Sequence, residues 1–275
     1  MDHVALSVQD GVGLIELARP DELNVLGEEM LAALEHAASA METNDDVRVV
    51  VLTGRGRAFC AGADMGRLRR LIEGGSKGYD LPRPGIIPPG LSALPGPPET
   101  VTHYSFPMAM SKPVIAAING PVVGAGFVLA ASCDVLFAGK SAFFSGAFGA
   151  RGLMAESALA WLLVRQVGLT SAADILLSGR RIMAEEALAM RLVSRVIRDE
   201  DLVADTLAYA VDMARTVAPR SLRIMKRQLQ QSVDQTYAEA TCQSYDLLME
   251  ALDHPDFREG VDSFLEKRDP RFTGR

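Results

Sequence analysis

The feature that most constrains the fold is a buried strand followed by a turn of small residues and a helix, a unit that occurs twice along the chain. Residues 47–53 are an almost unbroken β-branched and apolar run, which is typical of a strand buried on both faces. A glycine-rich turn follows, then a helix that begins near Met65. The second unit has a strand at 114–118, a short apolar helix after the Gly-Ala-Gly at 124–126, and a further strand at 133–138. Strands that alternate with helices predict a parallel α/β fold.

The segments around these units predict a hairpin, a long loop and a helical C-terminal region. Residues 4–8 and 12–17 alternate apolar and polar side chains around a Gln-Asp-Gly turn, which is the pattern of a β-hairpin. Residues 74–107 hold eight of the fourteen prolines without periodicity, so we expect a lid or a disordered loop there. We divide the chain into a core at residues 1–200 and a helical C-terminal oligomerisation region at residues 201–275.

Apolar residues recur at helical spacing in residues 27–41 and again after residue 201. The C-terminal region has a surplus of such residues, which is one reason to expect an oligomer. The positions that we expect to be buried there are Leu202, Leu207, Val211, Leu222, Met225, Leu229, Tyr245, Leu248, Val261, Phe264 and Leu265.

Composition argues against several classes of protein. The chain is 48% hydrophobic and 23% charged with a formal net charge of −7, as in ordinary globular proteins rather than disordered or nucleic-acid-binding ones. Cys60, Cys133 and Cys242 have the spacing of neither a disulfide framework nor a metal site. The N-terminus lacks the pattern of a signal or transit peptide, and polar residues interrupt the apolar runs. We therefore expect a cytoplasmic protein that binds no metal, membrane or nucleic acid.

Each small-residue turn has features of a site for a carbonyl oxygen. Ala61, Gly62 and Ala63 let a ligand approach the backbone, and the first amides of a helix have no partner within that helix. Ala125 has the same place in the second unit. Two such turns can direct two N–H donors at one oxygen, which stabilises a developing oxyanion. The alternative for the first turn is a tight connection in which Asp64 caps the following helix.

Five segments together carry a resemblance to a known family. They are RPDELNVL at 19–26, RAFCAGAD at 57–64, KPVIAAING at 112–120, SGRRIMAEEA at 178–187 and FLEKR at 264–268. Their order and spacing resemble those of the crotonase, or enoyl-CoA hydratase/isomerase, family over almost the whole chain except the proline-rich stretch. The resemblance implies a spiral of ββα units with a helical C-terminal region, assembled as homotrimers or dimers of trimers. It also implies binding of acyl-coenzyme A thioesters, with coenzyme A as part of the substrate and no other cofactor.

The same resemblance implies roles for particular residues. The backbone amides of Ala63 and Ala125 would form an oxyanion hole around the thioester carbonyl. The residues that the resemblance assigns to coenzyme A are Ala61, Gly62, Asp64, Arg57 and Lys267. For Arg57 and Lys267, which would meet the phosphates, the alternative is a solvated surface side chain.

The acidic residues bear on which reaction is catalysed. Hydratases of this family carry two glutamates where this chain has Val128 and Phe148. Adding water to a double bond usually occupies two carboxylates, one that orients the water and one that delivers a proton. Glu156 remains, at the position where related isomerases and dehalogenases carry their working acid, and we assign it as catalytic. The alternative is an acidic residue favoured near a helix N-terminus by ~0.3–1 kcal/mol. The apolar neighbours expected to raise its pKa are Leu153, Met154, Ala158 and Trp161.

These assignments favour Δ3,Δ2-type enoyl-CoA isomerisation by a single carboxylate. One alternative is an enoyl-CoA hydratase of fatty-acid degradation, in which Glu156 shares the work with an unassigned group. Another is hydrolysis or dehalogenation with Glu156 as the nucleophile. The non-enzymatic alternative is an acyl-CoA-binding homologue that has lost the chemistry.

Overall fold

The computed structural model describes residues 3–75, 85–97 and 100–274. The strands are β1 (Val4–Gln9), β2 (Val12–Leu17), β3 (Val49–Gly54), β4 (Val114–Ile118), β5 (Val122–Val123), β6 (Val135–Gly139), β7 (Phe143–Ser145), β8 (Ile182–Met183) and β9 (Arg195–Ile197). The helices are α1 (Glu28–Thr43), α2 (Met65–Gly74), α3 (Phe106–Ala109), α4 (Ala125–Ala131), α5 (Leu159–Ser178), α6 (Ala184–Ala189), α7 (Leu202–Thr216), α8 (Pro219–Gln231), α9 (Tyr237–Leu252) and α10 (Pro255–Glu266).

The main sheet has the strand order β1-β2-β3-β4-β6-β9. β1 and β2 form the predicted antiparallel hairpin, with Asp10 and Gly11 in left-handed conformations at the turn. All later neighbours in this sheet are parallel. β3 and β4 are buried at every residue, because strands covered on both faces need apolar side chains on both. The predicted parallel α/β arrangement is confirmed.

A second, smaller sheet makes the fold a layered spiral. It has the order β5-β7-β8, and Cys60 pairs with Val122 in an isolated parallel bridge beside it. Each of β3, β4 and β6 is therefore followed by a short extended segment in the second layer and then by a helix, α2, α4 or α5. This repeat confirms the predicted spiral of ββα units.

Helices cover both faces of the main sheet. α1 buries residues such as Leu34 and Met41 in the larger of two apolar clusters. α7 packs on the opposite face, where Leu202, Ala210 and Ala214 are buried in a cluster that contains residues of the central strands. α7 thus closes the core of the sheet. The division at residue 200 into a core and an oligomerisation region stays a prediction.

Most apolar positions that we expected to be buried after residue 201 are exposed in the single chain. Leu202 and Leu222 are buried, and Leu207 and Val211 are half-buried. The exposed positions are Met225, Leu229, Tyr245, Leu248, Val261, Phe264 and Leu265. The helices form as predicted. The face of the sheet is covered by α7, and the exposed positions lie on the helices that follow it. The prediction of burial is therefore wrong for these positions within one chain.

The described part of the proline-rich stretch is packed against the core. Leu91, Leu94, Val101 and Tyr104 are buried in the same apolar cluster as α1. The hydroxyl of Ser39 in α1 donates a hydrogen bond to the Gly90 carbonyl oxygen. A disordered loop is therefore the wrong description of these residues, because apolar side chains between the prolines anchor them. Residues 76–84, 98 and 99, which also belong to the predicted lid or loop, lie outside the described residues.

α5 is long and apolar enough, by length and composition alone, to cross a membrane, with a mean hydropathy of 1.3. Gly168, however, has φ 77° and ψ 163°, so the helix is interrupted at that residue. A membrane span needs about 20 continuous helical residues, which neither half provides. The helix therefore gives only weak support for a span.

Candidate active site

A cleft of about 260 Å³ lies where the two small-residue turns meet. The first turn contributes residues 61–63 to its lining, and the second contributes residues 123–125. The chain after β7 supplies another side through residues 146–148, Arg151 and Glu156. The topology thus brings together turns that are far apart in the sequence, because β3 and β4 are parallel neighbours whose following segments lie at one edge of the sheet.

Glycine at two positions allows the turns to approach each other. Gly62 has φ +99°, and a Cβ added there would lie 2.7 Å from the Val123 carbonyl oxygen and 3.7 Å from the Ala125 nitrogen. A Cβ on Gly126 would lie 2.5 Å from the Cys60 carbonyl oxygen. Larger residues at either position would push the two turns apart.

The amides of Ala63 and Ala125 are available to a ligand. Ala63 pairs with Leu26 in an isolated bridge, whose hydrogen bond runs from the Leu26 N–H to the Gly62 carbonyl oxygen at 2.8 Å and leaves the Ala63 N–H unused. The Gly124 N–H donates to the Ser145 carbonyl oxygen at 3.1 Å, which fixes the second turn just before Ala125. Within the described chain, neither the Ala63 nor the Ala125 N–H donates a hydrogen bond to protein. Two such donors beside one cleft suit an oxygen that carries partial negative charge.

The side chain of Asp64 has the structural role that was the alternative for the first turn. It caps α2 by accepting a hydrogen bond from the Arg67 N–H at 2.9 Å. Asp64 also lines a separate polar pocket of about 270 Å³, together with His3, Arg19 and Arg70. Val25 borders both this polar pocket and the cleft, so the two spaces are neighbours.

The structure does not bring Arg57 and Lys267 to the cleft. Both side chains are exposed, and neither belongs to the described residues that line the cleft or the polar pocket. Lys267 ends α10 in a left-handed conformation, with φ 54°. A role for either residue at the phosphates of coenzyme A stays a prediction.

Glu156 lines the cleft just before α5 and is half-buried. Burial raises the pKa of its carboxyl, while the positive charge of Arg67 acts in the opposite direction. Ser157 and Ala158 follow with φ 46° and 60°, so two non-glycine residues in the left-handed region separate Glu156 from the helix. The first turn of α5 contains no acidic residue. Glu156 therefore lies two residues before the N-cap rather than in the first turn of the helix, and its catalytic role stays a prediction.

The other side chains around Glu156 differ in what they contribute. Leu153 lines the cleft, whereas Met154 is 71% exposed and supplies little of the predicted apolar enclosure. Phe148 lines the cleft and Val128 is fully buried in α4. Among the described residues that line the cleft, Glu156 is the only carboxylate. In the same described ranges, no three metal-ligating side chains come together.

Arg67 is a residue near the site that the sequence analysis missed. Its side chain is 4% exposed, and its Nη1 donates a hydrogen bond to the Tyr104 hydroxyl at 3.3 Å. The positive charge of this buried guanidinium partly offsets the effect of burial on the pKa of Glu156. The helix beginning at Met65 was predicted, but periodicity did not show that its arginine at position 67 faces inward.

Comparison with known proteins identifies the family of the chain. The family model described as enoyl-CoA hydratase/isomerase matches residues 7–80 and 98–275, with a gap that falls within the proline-rich stretch. A probable enoyl-CoA hydratase of Rhodobacter capsulatus is 34% identical over 99% of this chain and 98% of its own length. The 1,2-epoxyphenylacetyl-CoA isomerase of Escherichia coli K12 is 34% identical, with both chains fully covered. The crystal structure of an enoyl-CoA hydratase from Polaromonas sp. JS666 matches with a TM-score of 0.85 at 28% identity, covering 98% of this chain and 99% of that one. The chain belongs to the enoyl-CoA hydratase/isomerase, or crotonase, family.

Proposed function

We propose that the protein catalyses Δ3,Δ2-type isomerisation of enoyl-CoA thioesters, with Glu156 as the only acid–base group. The observation that carries the proposal is the single carboxylate in the cleft lining, half-buried and with a raised pKa. One carboxylate is enough for a 1,3-proton shift, because the same group removes and returns the proton.

In the proposed reaction, ionised Glu156 takes a proton from C2 of a 3-enoyl thioester. The electron pair of the broken C–H bond delocalises into a dienolate, whose charge rests largely on the thioester oxygen. The N–H groups of Ala63 and Ala125 stabilise that oxygen. The proton then returns to C4, the carbonyl forms again, and the double bond lies between C2 and C3. No electrons enter or leave, so no redox cofactor takes part.

The second candidate is hydration of a 2-enoyl thioester, and it is favoured by the name of the Rhodobacter relative. Against it, the positions that match the two hydratase glutamates are apolar. Val128 is buried away from the cleft lining, and Phe148 lines the cleft without a group that can transfer a proton. In this cleft Glu156 alone would have to orient the attacking water and deliver a proton to C2 of the substrate.

The proposal includes how the thioester binds and how the protein assembles. Coenzyme A runs past residues 61–64, and its phosphates meet cations at the surface, for which Arg57 and Lys267 are the candidates. The exposed apolar faces of α9 and α10 pack between subunits in a cytoplasmic homotrimer or dimer of trimers.

The test is incubation with a panel of 2-enoyl-, 3-enoyl- and 3-hydroxyacyl-CoA esters, followed by mass and isomer analysis of the products. We expect 3-enoyl esters to be converted to 2-enoyl esters without a change in mass. Rapid gain of one water by 2-enoyl esters would instead identify a hydratase. Binding without any product would identify a non-catalytic homologue.

A further inference from the structure

Arg151 lies in the wall of the cleft, and the proposed isomerisation does not use it. It ends a short 3-10 turn, Gly149–Arg151. Its side chain lines the cleft, as do those of Phe148 before the turn and Leu153 after it. The N–H groups of Arg151 and Leu153 donate to the Phe148 carbonyl oxygen at 2.9 and 3.1 Å. The backbone that carries Arg151 is therefore held in place.

The guanidinium of Arg151 is oriented but has no counter-charge. Its Nη1 donates to the Ala147 carbonyl oxygen at 2.8 Å, which engages one of five N–H donors. Within residues 3–75, 85–97 and 100–274, no carboxylate forms an ion pair with it, and it is the only cation in the cleft lining. The charge that acts on Glu156 is that of Arg67. Arg151 is thus free for a ligand.

The location of Arg151 indicates which part of the ligand it meets. The proposed path of coenzyme A along residues 61–64 lies on the side of the first turn, where the polar pocket borders the cleft at Val25. The arginines of that pocket, Arg19 and Arg70, are already paired with Glu22 and Glu28. Arg151 belongs to the segment that carries Glu156, where the acyl chain reacts in the proposed mechanism. Apolar residues flank it, as expected for a wall along an acyl chain. An anionic group near Arg151 would therefore belong to the acyl part.

The geometry points to Arg151 as a specificity-determining residue that binds a carboxylate at the far end of the acyl group. The preferred substrates are then acyl-CoA thioesters with a terminal carboxylate, rather than simple fatty acyl-CoA thioesters. A guanidinium pairs with a carboxylate through two parallel N–H donors, and such charge-assisted hydrogen bonds are among the strong ones. The inference rests on the proposed function only in taking this cleft as the acyl site.

The test measures binding, so that it does not depend on the reaction. Dissociation constants for hexanoyl-CoA and for its counterpart with a terminal carboxylate are measured by calorimetry on the wild type, Arg151→Met and Arg151→Lys. The control is Arg198→Met, which removes an exposed arginine that pairs with Glu200 outside the cleft. The pantetheine thioesters of both acyl groups, which lack the nucleotide phosphates, form a second series.

We expect Arg151→Met to weaken binding of the carboxylate-ended thioester by about 10- to 100-fold and to leave the methyl-ended one within about twofold. Arg151→Lys should retain part of the preference, and Arg198→Met should match the wild type. Unchanged binding of both ligands to Arg151→Met would overturn the inference. Equal weakening of both CoA esters, absent from the pantetheine esters, would overturn it by placing Arg151 at a phosphate. Retained selectivity without isomerase activity would refute the proposed reaction alone.

Discussion

Replacing Glu156 by glutamine removes the acid–base group of the proposed mechanism and changes little else. The side chain keeps its size, and within the described part of the chain no ion pair or helix cap depends on its carboxylate. The N–H groups of Ala63 and Ala125, which would hold the thioester oxygen, lie on other segments. Acyl-CoA binding should therefore persist while turnover is lost.

The expected loss of rate follows from what remains in the cleft. General acid–base catalysis contributes about 10²- to 10⁴-fold, which is about 2.7–5.4 kcal/mol in the activation free energy. No other carboxylate in the described cleft lining can replace Glu156. We therefore expect Glu156→Gln to lie in the upper half of that range.

The dependence on pH provides a second signature. Burial raises the pKa of the Glu156 carboxyl above its ordinary value of 4.5, and the base must be ionised to act. In the wild type, kcat/KM should fall as the pH drops through that raised pKa. The residual activity of Glu156→Gln should not show this decrease at low pH.

The pH dependence of stability should run opposite to that of activity, because ionised Glu156 is needed for turnover but destabilises the folded chain. A carboxyl whose pKa is higher in the folded than in the unfolded chain contributes stability below the unfolded pKa, and that stability is lost as the pH rises through the folded pKa. Relative to the wild type, the free energy of unfolding of Glu156→Gln should therefore increase between about pH 4 and about pH 8. Urea denaturation at both pH values measures this difference.

The assay follows conversion of a 3-enoyl-CoA labelled with deuterium at C2, and the wild type should move part of the label to C4. The matched control is Glu185→Gln, an exposed glutamate of α6 outside the cleft. Isomerisation by Glu156→Gln at the wild-type rate would refute the reasoning, because the base would then lie elsewhere. Fast hydration of 2-enoyl-CoA by the wild type would show that the acidic positions were misassigned.

Three further predictions test other parts of the molecule. Ala63→Pro removes one proposed oxyanion donor, so kcat should fall by about 10²- to 10³-fold, the usual loss for one such donor; wild-type activity in a folded variant would contradict this. Sedimentation at micromolar concentration should show a trimer or hexamer, because helices α9 and α10 expose apolar faces, and a stable monomer would be the contrary result. Lys226→Met should lower the free energy of unfolding in urea by about 3 kcal/mol, because the buried ammonium of Lys226 contacts Asp134 at 2.8 Å and the Pro107 carbonyl oxygen at 2.7 Å. An unchanged urea midpoint would show that these contacts do not stabilise the fold.

Local patterns in the sequence were sufficient to predict several of the elements and their order. The hairpin at β1 and β2, the buried strands β3 and β4, and the turns before α2 and α4 all follow from side-chain periodicity and from glycine and proline, whose effects act over a few residues. The small-residue turns indicated a possible site for an oxygen, but the resemblance to the family singled out Ala63, Ala125 and Glu156, and the fold places all three in one cleft.

Other features depended on contacts between residues far apart in the chain. Periodicity predicts that a helix has an apolar face but does not specify what covers it, which is why α9 and α10 were expected to be buried and are exposed. It likewise gave no sign that Arg67 is buried near Glu156, or that Gly62 allows the two turns to meet. Burial, pKa and the approach of backbone segments are set by the surroundings of a residue, and those surroundings exist only once the parallel strands have brought distant turns together.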